Sequence, residues 1–260
     1  NVNSSASNSA KFKNKNSFSL IPSFQTNYSL PMIKETIKSR NTLTPKLSLR
    51  LSTPHTKDVR RIDRKIDYNN IYDLNRLGIN DSNEGGISLT YGYEQSIVDK
   101  SSLEEKLKFG FANNLRFEEN KDLPLNSNLG DKVSDFVGAL EYKPNKNFKF
   151  DYDFSLKNNL NEMNYELYGF EFYLKNLTTK FEYQNENNSS LKTSYLKNVT
   201  RFDLNEKSSL IFETRENKEK SFTEFYNLIY QYKNDCLSAA IEYNKEYYSD
   251  KDLKSSENLF

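Results

Sequence analysis

The segment NFKFDYDFSLKN, residues 147–158, alternates between apolar and polar side chains. Its apolar positions are Phe148, Phe150, Tyr152, Phe154 and Leu156. The positions between them are charged or small and polar: Lys149, Asp151, Asp153 and Ser155. Because successive side chains of a β-strand point to opposite faces, the segment is predicted to be a strand with one apolar and one charged face.

The same period of two recurs along most of the chain, for example in ISLTYGYEQSI (87–97) and LSAAIEYNKEY (237–247). No segment shows the 3.6-residue period of a long helix. Most of the predicted strands exceed the roughly 5–6 residues usual in globular proteins, and many reach the about 9–11 that a tilted membrane strand needs. We predict about a dozen strands, near residues 17–30, 43–52, 86–97, 103–117, 135–143, 147–157, 163–174, 178–185, 191–203, 208–215, 222–232 and 237–247.

The composition excludes several classes of protein. Hydrophobic residues make up 35% of the 260 residues and the mean hydropathy is −0.86, which is low for a large water-soluble core. Aromatic residues reach 14%, which argues against disorder. The net charge of +1 gives no field that would attract nucleic acid. No run approaches the roughly 18 apolar residues of a transmembrane helix, and no signal peptide is visible.

The connections between the predicted strands alternate in kind. One set is short: SIVDKS, KPNKN, KNLT, LNEK and KND. The other set includes the long segments 53–85 and 118–134, with smaller members near 158–162, 186–190, 216–221 and 248–257. Short turns at one end and longer loops at the other are typical of outer-membrane barrels, so we predict an all-β, transmembrane antiparallel β-barrel.

The charged strand faces predict a large barrel. In this fold the apolar face meets lipid and the polar face lines the lumen, and a wet or plugged lumen accepts charge without a burial penalty. We expect residues 1–16 to be a polar lead-in or loop. Residues 17–260 are expected to be the C-terminal portion of a barrel that is cut at both ends and lacks its final strand.

No catalytic, cofactor or metal site is predicted. His55 is the only histidine and sits in a polar loop, whereas metal sites need several converging donors. The carboxylate pairs Glu104–Glu105 and Glu118–Glu119 lie at strand ends, where solvated charge is the ordinary state. We therefore expect a protein that is not an enzyme and needs no cofactor.

Cys236 is the only cysteine and follows the short KND turn. Short turns of outer-membrane barrels face the periplasm, which is oxidising and supports disulfides. A partner cysteine would then lie outside this chain. The other interpretation is a free thiol at the end of a strand.

Several segments resemble the lipopolysaccharide-assembly protein LptD family, also called OstA or organic-solvent-tolerance protein. IPSFQTNYSLPMI (21–33) followed by LTPKLSLRLSTP (43–54) resembles paired strands of the family. Residues 134–145 and 232–253 resemble two further shared blocks, the second with a cysteine opening the next-to-last strand. Residues 66–94 resemble the family's signature loop and the strand after it, and carry the loop residues Asn70, Asn75, Arg76, Gly78, Asp81, Glu84 and Gly85.

The chain departs from the family pattern in three places. Ile71-Tyr72 stands where the family favours Leu-Phe, and Asp81-Ser82 where Asp-Arg is common. Asp235-Cys236 replaces the two adjacent cysteines of some members, which leaves room for one disulfide from this end.

The resemblance implies a function, a localisation and partners. Members receive lipopolysaccharide (LPS) from a periplasmic bridge, through an N-terminal domain, and release it into the outer leaflet of the Gram-negative outer membrane. A lipoprotein, LptE, plugs the lumen, and outer-membrane lipid surrounds the barrel. A cysteine at the position of Cys236 pairs with one near the N-terminus. The alternatives are a general porin or adhesin-like barrel and a soluble all-β binding protein whose aromatic faces pack together.

Overall fold

The computed structural model describes residues 2–5, 17–20, 22–53, 57–62, 64–79, 84–125, 128–187 and 192–247. This part of the chain is built from β-strands. They are β1 (Val2–Ser5), β2 (Ser17–Leu20), β3 (Ser23–Ser29), β4 (Met32–Glu35), β5 (Ser39–Ser52), β6 (Gly86–Asp99), β7 (Glu105–Arg116), β8 (Phe136–Asn145), β9 (Phe148–Leu156), β10 (Met163–Tyr173), β11 (Leu177–Asn187), β12 (Lys192–Asn205), β13 (Ser208–Asn217), β14 (Phe222–Lys233) and β15 (Ser238–Glu246).

Thirteen strands form one sheet in the order β15-β14-β13-β12-β11-β10-β9-β8-β7-β6-β5-β3, with β4 also pairing with β5. Each strand from β5 onward neighbours the strands before and after it in sequence, as in an up-and-down barrel. The described strands end at β15 and β3 without closing on each other. β1 and β2 pair separately. The predicted all-β antiparallel barrel class is confirmed.

From residue 86 onward, β6–β15 correspond one to one to the predicted strands, with ends shifted by one or two residues. The N-terminal part differs. The segment expected to be a polar lead-in contains β1, and the predicted strand 17–30 is divided into β2 and β3. Residues 31–42, which were not predicted to be a strand, contain β4 and the start of β5.

Pro31 explains why β3 and β4 are separate. Both strands pair with β5, through Ser29↔Lys46 and Met32↔Leu43. Proline has no N–H to donate to a ladder, so the pairing stops beside it and resumes one residue later.

The two faces of the sheet have the polarity of a membrane barrel. In β5, Leu47 and Leu51 are 42% and 38% exposed, whereas Ser48 and Arg50 are 3% exposed each. We call these the apolar face and the polar face. The apolar face includes Leu43, Leu47, Leu51, Ile87, Tyr93, Phe170, Phe172, Phe181, Tyr183, Phe202, Phe212 and Leu228. The polar face includes Lys46, Ser48, Arg50, Ser88, Thr90, Glu94, Asn114 and Arg116.

The register keeps apolar residues side by side across neighbouring strands. Phe202 of β12 pairs with Leu210, Leu210 with Tyr230, and Tyr230 with Ile241 of β15. A one-residue slip would move every side chain to the other face, so this continuous row favours a single register. In the described residues, no helix is long and apolar enough to cross a membrane.

The connections lie alternately at the two ends of the strands. One end carries 36–38, 100–104, 146–147, 174–176, 206–207 and 234–237. The other end carries the described parts of the long connections 53–85 and 117–135 and the smaller 157–162 and 218–221. We call these the short-turn end and the loop end. Only the two long connections differ greatly in length from the short turns.

The chain forms two compact units. The first comprises residues 1–96, 109–138 and 155–162, and the second comprises residues 97–108, 139–154 and 163–260. Among the described residues, all buried hydrophobic side chains belong to the first unit, including Ile71, Leu77, Leu123, Leu129 and Val137. The two long loops supply most of them.

Candidate functional site

The candidate site is the described part of the signature loop, residues 66–79 and 84–85, where it packs on the polar face of β5, β6 and β7. Its first turn is held by reciprocal bonds between Asp67 and Asn70. Asp67 Oδ1 accepts the Asn70 N–H at 3.0 Å, and Asn70 Oδ1 accepts the Asp67 N–H at 3.0 Å. Asn70 Nδ2 also donates to the Lys65 carbonyl at 3.0 Å. Asn70 therefore shapes the loop rather than facing a ligand.

A second turn spans Asn75 and Gly78. The Gly78 N–H donates to the Asn75 carbonyl at 3.0 Å, and Asn75 Nδ2 donates to the Ile79 carbonyl at 3.4 Å. Gly78 has φ +61°, in the left-handed region that glycine adopts without steric cost. This turn directs the adjacent Arg76 into the protein.

Arg76 and Glu84 form a buried bidentate ion pair at the centre of the site. Arg76 Nε lies 2.6 Å from Glu84 Oε2, and Arg76 Nη2 lies 2.6 Å from Glu84 Oε1. Both side chains are 2% exposed. Parallel N–H donors of arginine match the two carboxylate oxygens, so this pair closes the loop on itself across eight residues.

Two arginines from the strands converge on Glu84, Arg116 on its carboxylate and Arg50 on its backbone carbonyl. Arg116, at the end of β7, donates to Glu84 Oε1 and to the Gly85 carbonyl. Arg50 of β5 donates to the Leu74 carbonyl and, at 3.2 Å, to the Glu84 carbonyl. The loop is thereby bonded to strands on either side of β6.

Arg76 also bonds to the polar face beneath it. Its Nη1 donates to Asn114 Oδ1 at 3.0 Å and to Thr90 Oγ1 at 3.1 Å, and its Nη2 donates to Ser88 Oγ at 3.1 Å. Thr90 donates in turn to Asn114 Oδ1 at 3.1 Å. Small polar side chains on alternate positions of β6 therefore form a surface that fits one guanidinium.

The electrostatics of the site keep Glu84 ionised. Burial alone would raise the pKa of Glu84, but the charges and hydrogen bonds of Arg76, with the charges of Arg50 and Arg116, outweigh it and hold the pKa at about 2. Backbone carbonyls accept hydrogen bonds from all three guanidinium groups. This arrangement is a structural clamp, since Glu84 and all three guanidinium groups make hydrogen bonds within the protein.

Two tyrosines of the loop lie against glycines of the sheet. A Cβ on Gly110 would lie 2.1 Å from Cζ of Tyr68, and a Cβ on Gly92 would lie 2.5 Å from the Tyr72 hydroxyl oxygen. Lys46 Nζ lies 5.6 Å and 5.7 Å from the ring centroids of Tyr68 and Tyr72, and 2.9 Å from Glu94 Oε2. Burial and the Glu94 carboxylate raise the pKa of Tyr68, so its hydroxyl stays protonated and donates to Glu94 Oε2 at 3.1 Å.

The second long loop, residues 117–135, packs against the first. The Val59 N–H donates to the Asp122 carbonyl at 2.8 Å, and Arg60 Nη2 lies 3.1 Å from Asp122 Oδ1. Buried Asp135 accepts hydrogen bonds from Asn128 Nδ2 at 2.7 Å and from the Ser155 hydroxyl at 3.1 Å. The two loops are therefore one packed layer on the polar face of the first unit.

The predicted site residues divide into three groups. Arg76, Glu84 and Gly85 meet in the buried cluster, whereas Asn70, Asn75 and Gly78 shape the turns that carry it. Asp81 lies outside the described residues, and so does His55, for which no site was predicted. The strand residues that complete the cluster were not predicted from the sequence: Arg50, Ser88, Thr90, Asn114 and Arg116. The sequence carried a sign of only two of them. Arg50 and Arg116 are arginines on the polar face of β5 and β7, near the loop end of each strand.

Cys236 lies at the short-turn end, in the turn between β14 and β15. Its thiol is free and exposed within this chain. The backbone N–H groups of Cys236 and Leu237 donate to Asn234 Oδ1 at 3.0 Å and 2.7 Å, so Asn234 fixes the turn. The disulfide with a cysteine elsewhere stays a prediction.

The polar face of the second unit carries ion pairs that remain partly exposed. Lys149 Nζ lies 3.0 Å from Asp151 Oδ1 and 3.1 Å from Glu141 Oε2. Lys180 Nζ lies 3.2 Å from Glu182 Oε1. These side chains are 21% to 39% exposed, so this stretch faces space that the described residues do not fill. In the part of the chain that the structure describes, no cluster of three His, Cys, Asp or Glu could hold a metal ion.

Long antiparallel strands with an apolar exposed face and a polar inner face define the class of transmembrane β-barrels. The chain belongs to the LptD family, described as LPS transport system D, whose sequence pattern matches residues 1–208. The signature loop and the strands that hold it lie inside the matched residues, and Cys236 lies beyond them. No curated protein matches the chain. LPS transport is therefore the function of its family.

Proposed function

We propose that this chain is part of the barrel of an outer-membrane translocon component that assembles LPS into the outer leaflet. The observation that supports this proposal most directly is the family match, since it spans the strands and loops that build the clamped site. The polarity of the sheet agrees with a place in the outer membrane. Apolar side chains such as Leu47 and Phe170 would face lipid, and the polar face would line a lumen.

The clamped loops cover part of the polar face of the first unit. Arg76 and Glu84 lock the signature loop onto β5, β6 and β7, and the loop 117–135 bonds to residues 59 and 60, which precede the signature loop. A polar face that is covered by fixed loops suits a transporter that releases its cargo sideways into a membrane leaflet, whereas a general porin needs an open lumen.

A lipoprotein plug of the LptE type is the proposed lumen partner. The polar face of the second unit supports this, because Lys149, Lys180 and their carboxylate partners remain partly exposed. Periplasmic bridge proteins would deliver LPS through a domain that precedes the barrel. No residue of this chain is assigned a catalytic role.

Depletion of the protein in its source cell tests the main proposal. We expect newly made, pulse-labelled LPS to lose access to a lipid-A-modifying enzyme added outside the cells, and plasmid-borne protein to restore that access. If the protein is a general porin instead, LPS would still reach the surface while uptake of small hydrophilic solutes falls.

Site-specific photocrosslinking tests the proposed plug. Glu182 lies on the polar face and its neighbour Tyr183 on the apolar face. A photoreactive residue at position 182 should capture a lipoprotein, and the same residue at position 183 should capture lipid. Capture of the same protein at both positions contradicts a lumen partner.

A further inference from the structure

The short-turn end of the second unit contains a cleft with a volume of about 830 Å³. It is formed by the turns 174–176 and 206–207, the end of β12, the start of β13 and the end of β14. All of these elements belong to the second unit. Binding pockets for small molecules and head groups typically measure about 300–1,000 Å³, so the cleft has the size of a ligand site.

The cleft is basic in a chain that is nearly neutral. Its charged lining residues are Lys175, Arg201, Lys207, Lys233, Asp203 and Glu206, four cations against two carboxylates, which leaves an excess of two positive charges. The whole chain has a net charge of +1. The charge excess is therefore a local feature of this end of the sheet.

The cations of the cleft are not all used in ion pairs. Arg201 Nε lies 2.8 Å from Asp203 Oδ1. No carboxylate of the described residues pairs with Lys175, Lys207 or Lys233, which contrasts with the paired Lys149 and Lys180 of the same unit. An ammonium group that has no protein partner and borders a cleft is available for an anionic ligand.

Neutral donors complete the cleft. Ser208 and Ser209 line it although these residues are only 8% and 3% exposed. The Tyr230 hydroxyl donates to Ser208 Oγ at 3.3 Å, so the Ser208 hydroxyl keeps its own proton to donate. Gln231 adds a side-chain amide from β14. Hydroxyl and amide groups can donate hydrogen bonds to the oxygen atoms of a ligand, and the ammonium groups beside them can bind its anionic ester groups.

We propose that this cleft binds the phosphate groups of a phosphorylated saccharide head group. A phosphate ester matches the two excess positive charges, and a saccharide fills the remaining volume while accepting hydrogen bonds from Ser208 and Gln231. This inference rests on the proposed function, which makes LPS the source of that chemistry. The site lies at the short-turn end of the second unit, as Cys236 does.

Photocrosslinking at Gln231 tests the site in the protein extracted from outer membranes with its partners. A photoreactive residue at position 231 should crosslink to LPS, and the crosslink yield against LPS concentration gives a half-saturation value. In the Lys207→Gln/Lys233→Gln variant this value should rise about tenfold or more, because charge-assisted hydrogen bonds are lost. Enzymatically dephosphorylated LPS should bind the unaltered protein as weakly as LPS binds that variant.

The matched control is Lys218→Gln/Lys220→Gln, which removes two charges from the opposite end of the β13–β14 hairpin and should leave the half-saturation value unchanged. An equal effect of both double variants overturns the proposed site, since general charge would then explain binding. Inorganic phosphate and unlabelled LPS should differ as competitors for the crosslink at position 231. If phosphate lowers the crosslink yield as strongly as LPS does, the cleft binds free phosphate and the saccharide assignment is overturned.

The depletion experiment separates this inference from the proposed function. If depletion removes LPS from the cell surface but position 231 captures no LPS, the cleft is overturned and LPS transport stands. If LPS still reaches the surface after depletion and position 231 captures none, the proposed function and the cleft are both contradicted.

Discussion

The ring of Tyr68 occupies the space in which a side chain of residue 110 would lie. A Cβ on Gly110 would be 2.1 Å from Cζ and 2.3 Å from Cε1 of Tyr68. A loop side chain and a strand position some forty residues later in the chain are thus fitted to each other. The signature loop is part of the fold of the sheet, not an appendage to it.

Gly110→Ala should displace the signature loop. The added methyl group overlaps the Tyr68 ring, and overpacking of this kind costs about 1–3 kcal/mol of folding free energy. Trypsin should then cleave faster after Arg60, Arg61 and Lys65 in the protein held in detergent. The double variant Gly110→Ala/Tyr68→Ala should cleave more slowly than Gly110→Ala alone. Equal cleavage of Gly110→Ala and the unaltered protein would contradict the packing.

Glu84→Gln should destabilise the protein strongly. The substitution leaves Arg76 and Arg116 buried without a counter-charge, and breaking a buried ion pair costs about 3–5 kcal/mol. The unfolding midpoint in detergent, followed by the circular dichroism of the sheet, measures the effect. Glu216→Gln is the control, because Glu216 pairs with Lys218 at the surface and its loss should cost less than about 1 kcal/mol. Similar decreases of the unfolding midpoint in Glu84→Gln and Glu216→Gln would contradict the clamp.

The stability of the loop should fall in acid. The folded pKa of Glu84, about 2, is below its ordinary value of 4.5, so its contribution is present above about pH 4.5 and is lost as the pH falls towards 2. The unfolding midpoint should therefore decrease through this window. In Glu84→Gln that part of the decrease should be absent, because no carboxyl titrates there. If the unfolding midpoint of Glu84→Gln falls with pH in parallel with that of the unaltered protein, groups other than Glu84 cause the acid sensitivity.

Cys236 should face the periplasm and form a disulfide with a cysteine outside this chain. Non-reducing electrophoresis of outer membranes should show a band that shifts on reduction, and Cys236→Ser should migrate as the reduced form.

After reduction, a membrane-impermeant maleimide should label Cys236 only in permeabilised cells. Lys218→Cys, in a Cys236→Ser background, tests the loop end and should be labelled in intact cells. The opposite labelling pattern would reverse the orientation.

Leu228→Arg should weaken the barrel more than Asn227→Arg. Leu228 is on the apolar face, whereas Asn227 is the neighbouring position on the polar face. A cation on the lipid-facing side costs about 2–4 kcal/mol near the bilayer midplane. The fraction of each variant that reaches the folded, heat-modifiable form in outer membranes measures this. Equal folded fractions would contradict the assignment of faces.

The strands could be predicted from the sequence because their signal is local. Alternation along residues 147–158 identifies a strand and both of its faces without reference to any other part of the chain. The predicted strands from residue 86 onward match β6–β15 for the same reason. The break at Pro31 was missed, since the pattern on its two sides does not show that both halves pair with β5.

The candidate site could be predicted only in part. Resemblance to a signature loop pointed to Arg76 and Glu84, but not to the partners that hold them. Arg50 and Arg116 are 34 and 32 residues away from Glu84 in the chain and come from strands on opposite sides of β6. The place of Arg50 and Arg116 on the polar face is a local property, whereas their convergence on Glu84 depends on the strand register.

The sequence by itself determined the elements, the two faces and the family, because side-chain alternation and shared segments can be identified residue by residue. Only the tertiary structure decided which polar side chains meet. Antiparallel pairing sets which positions of neighbouring strands lie side by side, and it thereby gathers Arg50, Arg76 and Arg116 around Glu84. The same pairing brings Lys207 and Lys233 to one cleft, because β13 is held between β12 and β14.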